Sequence, residues 1–458
     1  MMDETIAAIS SAPGEGGIGI IRISGERSYD ILKAIFVPSS GRAFEDYRPR
    51  TMVYGHAYDG EFALDEVLAV YMKAPHSYTK EDVVEINCHG GYISLRKILH
   101  LILKSGARLA EPGEFTKRAF LNGRLDLSQA EAVMDIIKAK TDSSHSIAQN
   151  QLEGGLSAKV RLLKESVAAI LAHVEVSIDF PEEDIEEITM GVLREKTEQL
   201  IEEMQELYKT AQTGKILRDG LSTVIAGKPN VGKSSLLNAL IGESRAIVTN
   251  IPGTTRDVIE EFISVKGIPL RLVDTAGIRS TEDIVEKIGV EKTRQSIETA
   301  DLVMLVLDAS EKLSAEDIEI LKLLGDKKCI VIINKTDLAP VLDESELAGY
   351  VDGRSIIRIS AAESRGIQEL ENEIAEMVYS GSVSYESSAI ISNVRHKHAL
   401  EKAISAAEEC INGIDSGMPL DFVEIDLKNV WDSLGEITGE TVSEDLLDVI
   451  FSKFCLGK

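Results

Sequence analysis

The chain has 458 residues, 27% of them charged and 44% apolar, and 76 acids against 49 bases leave a formal net charge of −27. At about 150 residues per domain the length accommodates roughly three domains, each large enough to bury its own core. So acidic a surface excludes indiscriminate binding to phosphate backbones or anionic membranes, while leaving room for a local basic patch.

Residues 1–120 mix short apolar runs with Gly and Pro. GIGIIRISG (17–25), DEVLAVYMKAP (65–75) and EDVVEINCHGG (81–91) read as strands, and YISLRKILHLILKSG (92–106) has helical spacing, so an α+β domain is expected. Between 125 and 210 apolar residues recur at three and four steps, which predicts long helices. The acidic run Glu182, Glu183, Asp184, Glu186 and Glu187 within them reads as a solvated helix start or loop. From 217 to about 380, STVIAG, LRLVDTAG, DLVMLVLDAS, CIVIINKTD and SIIRIS alternate with helical segments, the pattern of a doubly wound parallel sheet. After the linker SGSVSYESS (380–388) helical spacing returns to the end of the chain. The expected architecture is a multidomain α/β and α protein. It has an N-terminal α+β domain (1–120), a discontinuous helical domain (121–215 and 384–458) and an inserted Ras-like P-loop domain (216–383).

No run approaches the roughly 18 apolar residues of a membrane span. MMDETIAAISSAPGEGG lacks the basic start and apolar core of a secretory signal, so a cytoplasmic protein without membrane contact is expected. Cys88, Cys329, Cys410 and Cys455 form no CxxC pair, which suggests neither a disulfide framework nor zinc. Cys88 and Cys329 lie in apolar runs and read as core residues.

Residues 227–234, GKPNVGKS, form a full G-x-x-x-x-G-K-S between an apolar strand and a helix. There Asn230, Val231, Gly232, Lys233, Ser234 and Ser235 would wrap the phosphates of GTP, with Lys233 neutralising the β and γ groups and Ser234 ligating Mg²⁺. Asp274, Thr275, Ala276 and Gly277 end the next strand, where the carboxylate can hold magnesium through water and the glycine can turn toward the γ-phosphate. Asn334, Lys335, Thr336 and Asp337 follow CIVII. Asp337 can accept both N–H donors of guanine, which adenine does not offer. Ser360, Ala361 and Ala362 follow the last strand and bring a backbone amide to guanine O6. The loop Thr249, Asn250, Ile251, Pro252, Gly253, Thr254 and Thr255 supplies the switch threonine, Thr255, for Mg²⁺. Together with Asn230, its Gly253 and Thr254 form either an ordinary switch loop or an oxygen-rich cluster able to hold a monovalent cation. Position 278 is Ile, where Ras-like enzymes carry a Gln that orients water, so another group must do that work.

The four motifs resemble those of the translation-factor-related GTPases (the TrmE-Era-EngA-YihA-Septin-like group). GKPNVGKSSLLNAL, TNIPGTTRD, GIGIIRISG, the insertion of the P-loop domain within helices and the closing FCLGK together resemble the MnmE (TrmE) family of tRNA modification GTPases, over essentially the whole chain. That resemblance implies an N-terminal folate-binding, dimerising domain and a homodimer. It implies a potassium-stimulated GTP hydrolase that works with the FAD-containing partner MnmG. The product is a carboxymethylaminomethyl or aminomethyl group at C5 of wobble uridine 34 of tRNA, and the one-carbon unit comes from a tetrahydrofolate derivative in its 5-formyl or methylene form. It puts the K⁺ ligands on the Asn230 and Thr254 side chains and the Thr249 and Ile251 carbonyls, and the water-positioning acid on Glu286, which taken alone is one carboxylate in a charged helix. Arg256 and Arg279 support the switches or the pairing of two P-loop domains, or simply face solvent. The folate contacts fall on Arg22, Glu85, Arg124 and Lys458, with Arg124 standing where some members carry Lys. Cys455 lies in the same terminus, where packing and a role near folate or uridine both stay open. The competing reading is a ribosome-assembly GTPase like Era or Der that binds rRNA. Those carry a basic KH-type domain or tandem P-loop domains, whereas this chain shows one P-loop domain and acidic helices.

Overall fold

Isoleucine and valine alternating with polar residues near the N-terminus, and unbroken β-branched runs after residue 220, build two different sheets. The structure is a computed structural model that describes residues 4–12, 14–179, 190–243, 246–247, 261–273, 294–351, 353–379 and 389–458. The described chain parts into two compact units, one holding Met1–Met134 and Trp431–Lys458 and the other the helices and sheet between Asp135 and Val430.

Among the described residues the first unit contains seven strands: β1 (Ile6–Ile9), β2 (Ile18–Ser24), β3 (Phe36–Pro38), β4 (Val53–Asp59), β5 (Phe62–Met72), β6 (Val83–His89) and β7 (Arg108–Leu109). They pair in the order β3-β4-β5-β6-β2-β1-β7, antiparallel except for the β1–β7 edge. One face is covered by the helices Ser28–Ile35 and Tyr92–Lys104, whose Ile31, Leu32, Leu95, Ile98 and Ile102 pack on Ile21, Ile23, Val84 and Ile86. Because side chains alternate across a strand, burying Ile21 and Ile23 turns Arg22 to the other face. Phe451 and Phe454 near the chain end join Phe120, Leu127 and Met134 in a smaller core. Each buried phenylalanine contributes about 2–3 kcal/mol toward holding the closing segment in this unit.

The second sheet comprises β8 (Leu221–Ala226), β9 (Ala246–Ile247), β10 (Glu261–Val265), β11 (Ile268–Leu272), β12 (Leu302–Asp308), β13 (Cys329–Asn334) and β14 (Ser355–Arg358). The order is β14-β13-β12-β8-β11-β10-β9, with β11, β8, β12, β13 and β14 parallel. β8, β12 and β13 are buried along their whole length, as strands covered on both faces should be. The sequence pattern does not announce β9 and β10. They extend the sheet through a hairpin whose two central residues, Lys266 and Gly267, have φ of 48° and 84°, the left-handed pair that suits a two-residue turn.

Helices flank this sheet on both sides in sequence. Ile170, Val174 and Leu193, from the helices Gly155–Asp179 and Met190–Lys209, share one core with Cys410, Ile414, Val423 and Leu427 from Val394–Asp415 and Leu420–Thr438. The helical stretches before and after the sheet thus meet in space, and the sheet is an insertion between them. Among the described residues no helix is long and apolar enough to cross a membrane.

Candidate functional site

In a doubly wound sheet the ligand crevice opens at the carboxyl ends of strands where the strand order reverses, here between β8 and β12. β8 runs straight into the G-x-x-x-x-G-K-S loop. Gly227 has φ 142°, Asn230 63° and Gly232 100°, and these left-handed steps fold the backbone amides inward ahead of the helix Lys233–Glu243. That helix start adds the positive end of its dipole.

Lys233 curls back across the loop and donates to Gly227 O at 2.7 Å and Lys228 O at 2.8 Å. Burial pushes its ammonium below the usual lysine range. A half-buried cation answered, among the described residues, by neutral carbonyls suits a polyanion such as a nucleotide phosphate chain. The residues present therefore fit a bound phosphate group.

Asn334, at the end of β13, joins two loops. Its Nδ2 donates to Val231 O at 2.9 Å in the phosphate loop, and its Oδ1 accepts from Ala361 N at 3.0 Å. Thr336 Oγ1 donates to Ile359 O at 2.9 Å, and Ser360 Oγ donates to Asp337 Oδ1 at 2.6 Å. That last bond is the main cause holding the Asp337 carboxyl below its usual range, which keeps it an acceptor. Lys335 lies 2.6 Å from Asp308 at the end of β12. Burial alone would raise Asp308, but Lys335 and Ser310 outweigh it and hold the carboxyl ionised. The structure thus brings together Asn230 to Ser235, Asn334 to Asp337 and Ser360 to Ala362. Thr249 to Thr255, Asp274 to Gly277 and Glu286 lie outside the described residues, as do Arg256, Ile278, Arg279 and the acidic run 182–187.

A second cluster lies in the first unit. Arg22 and Glu85 are register partners on β2 and β6; Arg22 Nε donates to Glu85 Oε1 at 2.8 Å. The Arg22 guanidinium stands 5.4 Å from the Tyr78 ring and 5.7 Å from that of Phe115, and Arg124 covers the same Tyr78 ring at 4.7 Å. Arg124 Nη1 also donates to Tyr78 O at 3.0 Å. Ser10 Oγ donates to Gly457 O at 3.0 Å and Gly113 N to Cys455 O at 3.3 Å, so the closing segment lies beside the pair, with Arg22 Nη1 3.5 Å from Gly457 O. Arg22, Glu85, Arg124 and the segment carrying Lys458 are therefore neighbours, and Cys455 is exposed among them. A set of fixed cations, one carboxylate acceptor and an aromatic face fits a pterin with an anionic tail. Sequence reasoning missed Tyr78 here. It also missed the acids around Lys228, since only the register of distant segments brings either set together.

A doubly wound sheet whose central strand feeds G-x-x-x-x-G-K-S, and whose next strand but one feeds N-K-x-D, defines a P-loop GTPase domain. Comparison with known proteins carries this further. The family description GTP-binding protein TrmE N-terminus matches residues 5–124, and that of the MnmE helical domain matches residues 127–455. The tRNA modification GTPase MnmE of Clostridioides difficile (strain 630) is 62% identical over 457 residues, covering 100% of both chains. That of Alkaliphilus metalliredigens (strain QYMF) is 55% identical over 459 residues, again with 100% of each covered. Among solved structures, the G domain of the T. maritima FeoB iron transporter is 31% identical over 34% of this chain and 97% of its own, with a TM-score of 0.26. The chain belongs to the MnmE family of tRNA modification GTPases, and so to the GTP-hydrolysing enzymes of tRNA modification.

Proposed function

We propose that the chain is a K⁺-dependent GTP hydrolase that acts with MnmG to build the carboxymethylaminomethyl or aminomethyl group at C5 of uridine 34 in tRNA. The one-carbon unit would come from a 5-formyl or methylene tetrahydrofolate. The observation that carries the reading is Asn334, whose one amide ties the phosphate loop at Val231 to the base loop at Ala361. A nucleotide bridging those loops is read at both ends by a single side chain.

In this reading Lys233 and the amides of 230–235 hold the phosphates, Ser234 and Thr255 the Mg²⁺, and Asp274 the magnesium shell through water. Asp337 and the amides of 360–362 select guanine. Bound magnesium and potassium would supply positive charge to the β- and γ-oxygens as the bond breaks. Asn230, exposed on the loop with left-handed backbone, is the K⁺ ligand among the described residues; Thr249, Ile251 and Thr254 complete the proposed set. Glu286 is the proposed residue that orients the attacking water.

Arg22, Glu85, Arg124 and Lys458 form the proposed folate site, with Cys455 at its edge. The face that carries Arg22 also exposes Ile18, Tyr54 and Leu68, an apolar strip that supports pairing of two N-terminal domains in a homodimer. The proposed domain limits are 1–120, 121–215 with 384–458, and 216–383.

Nucleoside analysis of tRNA from cells lacking the protein tests the whole reading, and a C5 group still present on uridine 34 would refute it. GTP turnover in K⁺ should exceed that in Na⁺ several-fold; equal rates remove the cation. Arg22→Ala should weaken 5-formyltetrahydrofolate binding in calorimetry, and unchanged affinity removes Arg22 from the site.

A further inference from the structure

Two lysines stand in the phosphate loop, and their surroundings differ. Lys233 has backbone carbonyls for partners. Lys228 Nζ lies 2.8 Å from Glu311 and 3.2 Å from Asp317 Oδ2. The Asp317 side chain is only 3% exposed. Its Oδ2 also accepts from Ser314 N at 2.9 Å and Ser314 Oγ at 2.7 Å, while its Oδ1 is buried without a hydrogen-bond partner among the described residues. Both acids belong to the stretch that leaves β12 and enters the helix Ala315–Leu323, and that stretch starts at Asp308, the partner of Lys335. One short segment, Asp308 to Asp317, thus holds a lysine from the phosphate loop and another from the base loop.

We infer that Lys228 is a positioning residue: tethered to Glu311 and Asp317, it fixes the phosphate loop on the Asp308–Asp317 segment and sets how slowly guanine nucleotide leaves, without touching the phosphates itself. The inference rests on the GTPase reading of this site. A second free cation in the loop would be drawn to the phosphates, but the charge of Lys228 is already answered by two carboxylates. Moving it would strand Asp317, already short of one partner, as a buried anion without a counter-charge. The other end of the loop is held at Val231 by Asn334. With both ends tied, less of the loop remains to be ordered when nucleotide binds.

The test is stopped-flow release of fluorescent mant-GDP from the full-length protein, comparing wild type with K228M, K228R, D317N, E311Q and K228M/D317N. The tether predicts that K228M and D317N each speed release about tenfold. E311Q should have a smaller effect, because Glu311 is more than half exposed. K228R should restore release to within about twofold, and the double variant should be no faster than its faster parent, since both changes remove the same contact. A phosphate-binding Lys228 predicts the opposite sign for the acids: D317N and E311Q would free the ammonium and slow release. Slower release in either, or unchanged release in K228M, overturns the inference. The D317N side chain keeps an acceptor for Ser314, so if K228M shows no melting transition, the sign of the D317N effect decides alone. Wild type that binds no mant-GDP would sink the GTPase reading instead, a result distinct from any of these.

Discussion

Gly232→Ala strikes the point where phosphate loop and base loop are joined. Gly232 has φ 100°, a conformation an L side chain rarely adopts, and holding alanine there costs about 1–2 kcal/mol. A Cβ built on it would also sit against the Asn334 amide nitrogen, far inside the roughly 3.5–4.0 Å of comfortable contact. Asn334 must then give up its bonds to Val231 O and Ala361 N, worth about 1 kcal/mol each. The sum, about 3–4 kcal/mol, corresponds to a loss of roughly 150- to 1,000-fold in nucleotide affinity if the loop yields. If the loop resists, the same energy lowers thermal stability. Mant-GDP titration and thermal denaturation, measured together, should account for the total. The decisive comparison is made in an Asn334→Ala background, where the obstructed amide is gone and Gly232→Ala should cost only the backbone strain. A full penalty in that background, or affinity and stability both at wild-type levels in the single variant, would refute the reasoning.

Two further outcomes follow from burial and charge. Burial pushes the Cys88, Cys329 and Cys410 thiols up to about 11, while Cys455 is exposed. Iodoacetamide at neutral pH should therefore label native protein at Cys455 and reach the other three only after denaturation, as peptide mass mapping would show. Glu114 gives a pH signature. Burial would raise its carboxyl, but two hydrogen bonds from Arg108 and one from the Glu111 amide hold it below the ordinary glutamate value of 4.5. A depressed carboxyl contributes stability above its unfolded value and loses that contribution as pH falls through its folded value. The melting temperature of wild type should therefore exceed that of Arg108→Gln most at neutral pH, with the gap narrowing below about 4.5. A gap that stays constant down to strong acid would show that Arg108 acts through packing alone.

The strands that were legible are those whose sequence leaves no alternative. LSTVIA, LVMLVLD and CIVIIN are buried along their whole length, so run length and apolar composition were enough. The β10–β11 hairpin was not, because Glu261–Val265 is a short strand one place in from the sheet edge and its turn signal, Lys266-Gly267, lies inside what reads as a single run. The phosphate and base loops could be read residue by residue, since their chemistry is local in sequence. Lys228, Asp308, Glu311 and Asp317 could not, because each alone is one charge in a charged chain, and strand order alone brings Lys228 beside the segment that carries the three acids. The same holds for Arg22 and Glu85, 63 positions apart and joined by register.

Charge counting along the sequence misleads for a related reason. Residues 92–124 hold seven bases, Arg96, Lys97, Lys104, Arg108, Lys117, Arg118 and Arg124, against two acids, which suggests a basic surface for RNA. In the fold Arg118 is buried against Glu81, Arg108 binds Glu4 as well as Glu114, and Lys117 pairs with Asp448. Three of these acids lie outside the window, so a local count never sees them. Arg124 is committed to Tyr78. Apart from Arg124, which stays exposed beside Tyr78, the bases that face water lie on one side of the helix Tyr92–Lys104: Arg96, Lys97 and Lys104, next to His100, with Lys104 3.4 Å from Asp59. The opposite side of that helix packs on Ile21, Ile23 and Ile86, whose strands turn Arg22 and Glu85 the other way. RNA phosphates gripped by this basic strip would thus lie across the sheet from the proposed folate site. For a tRNA nucleotide to reach the proposed site at Arg22 and Glu85, another surface would have to present it, and the net charge of −27 is better read as keeping RNA off the rest of the molecule than as arguing against an RNA substrate.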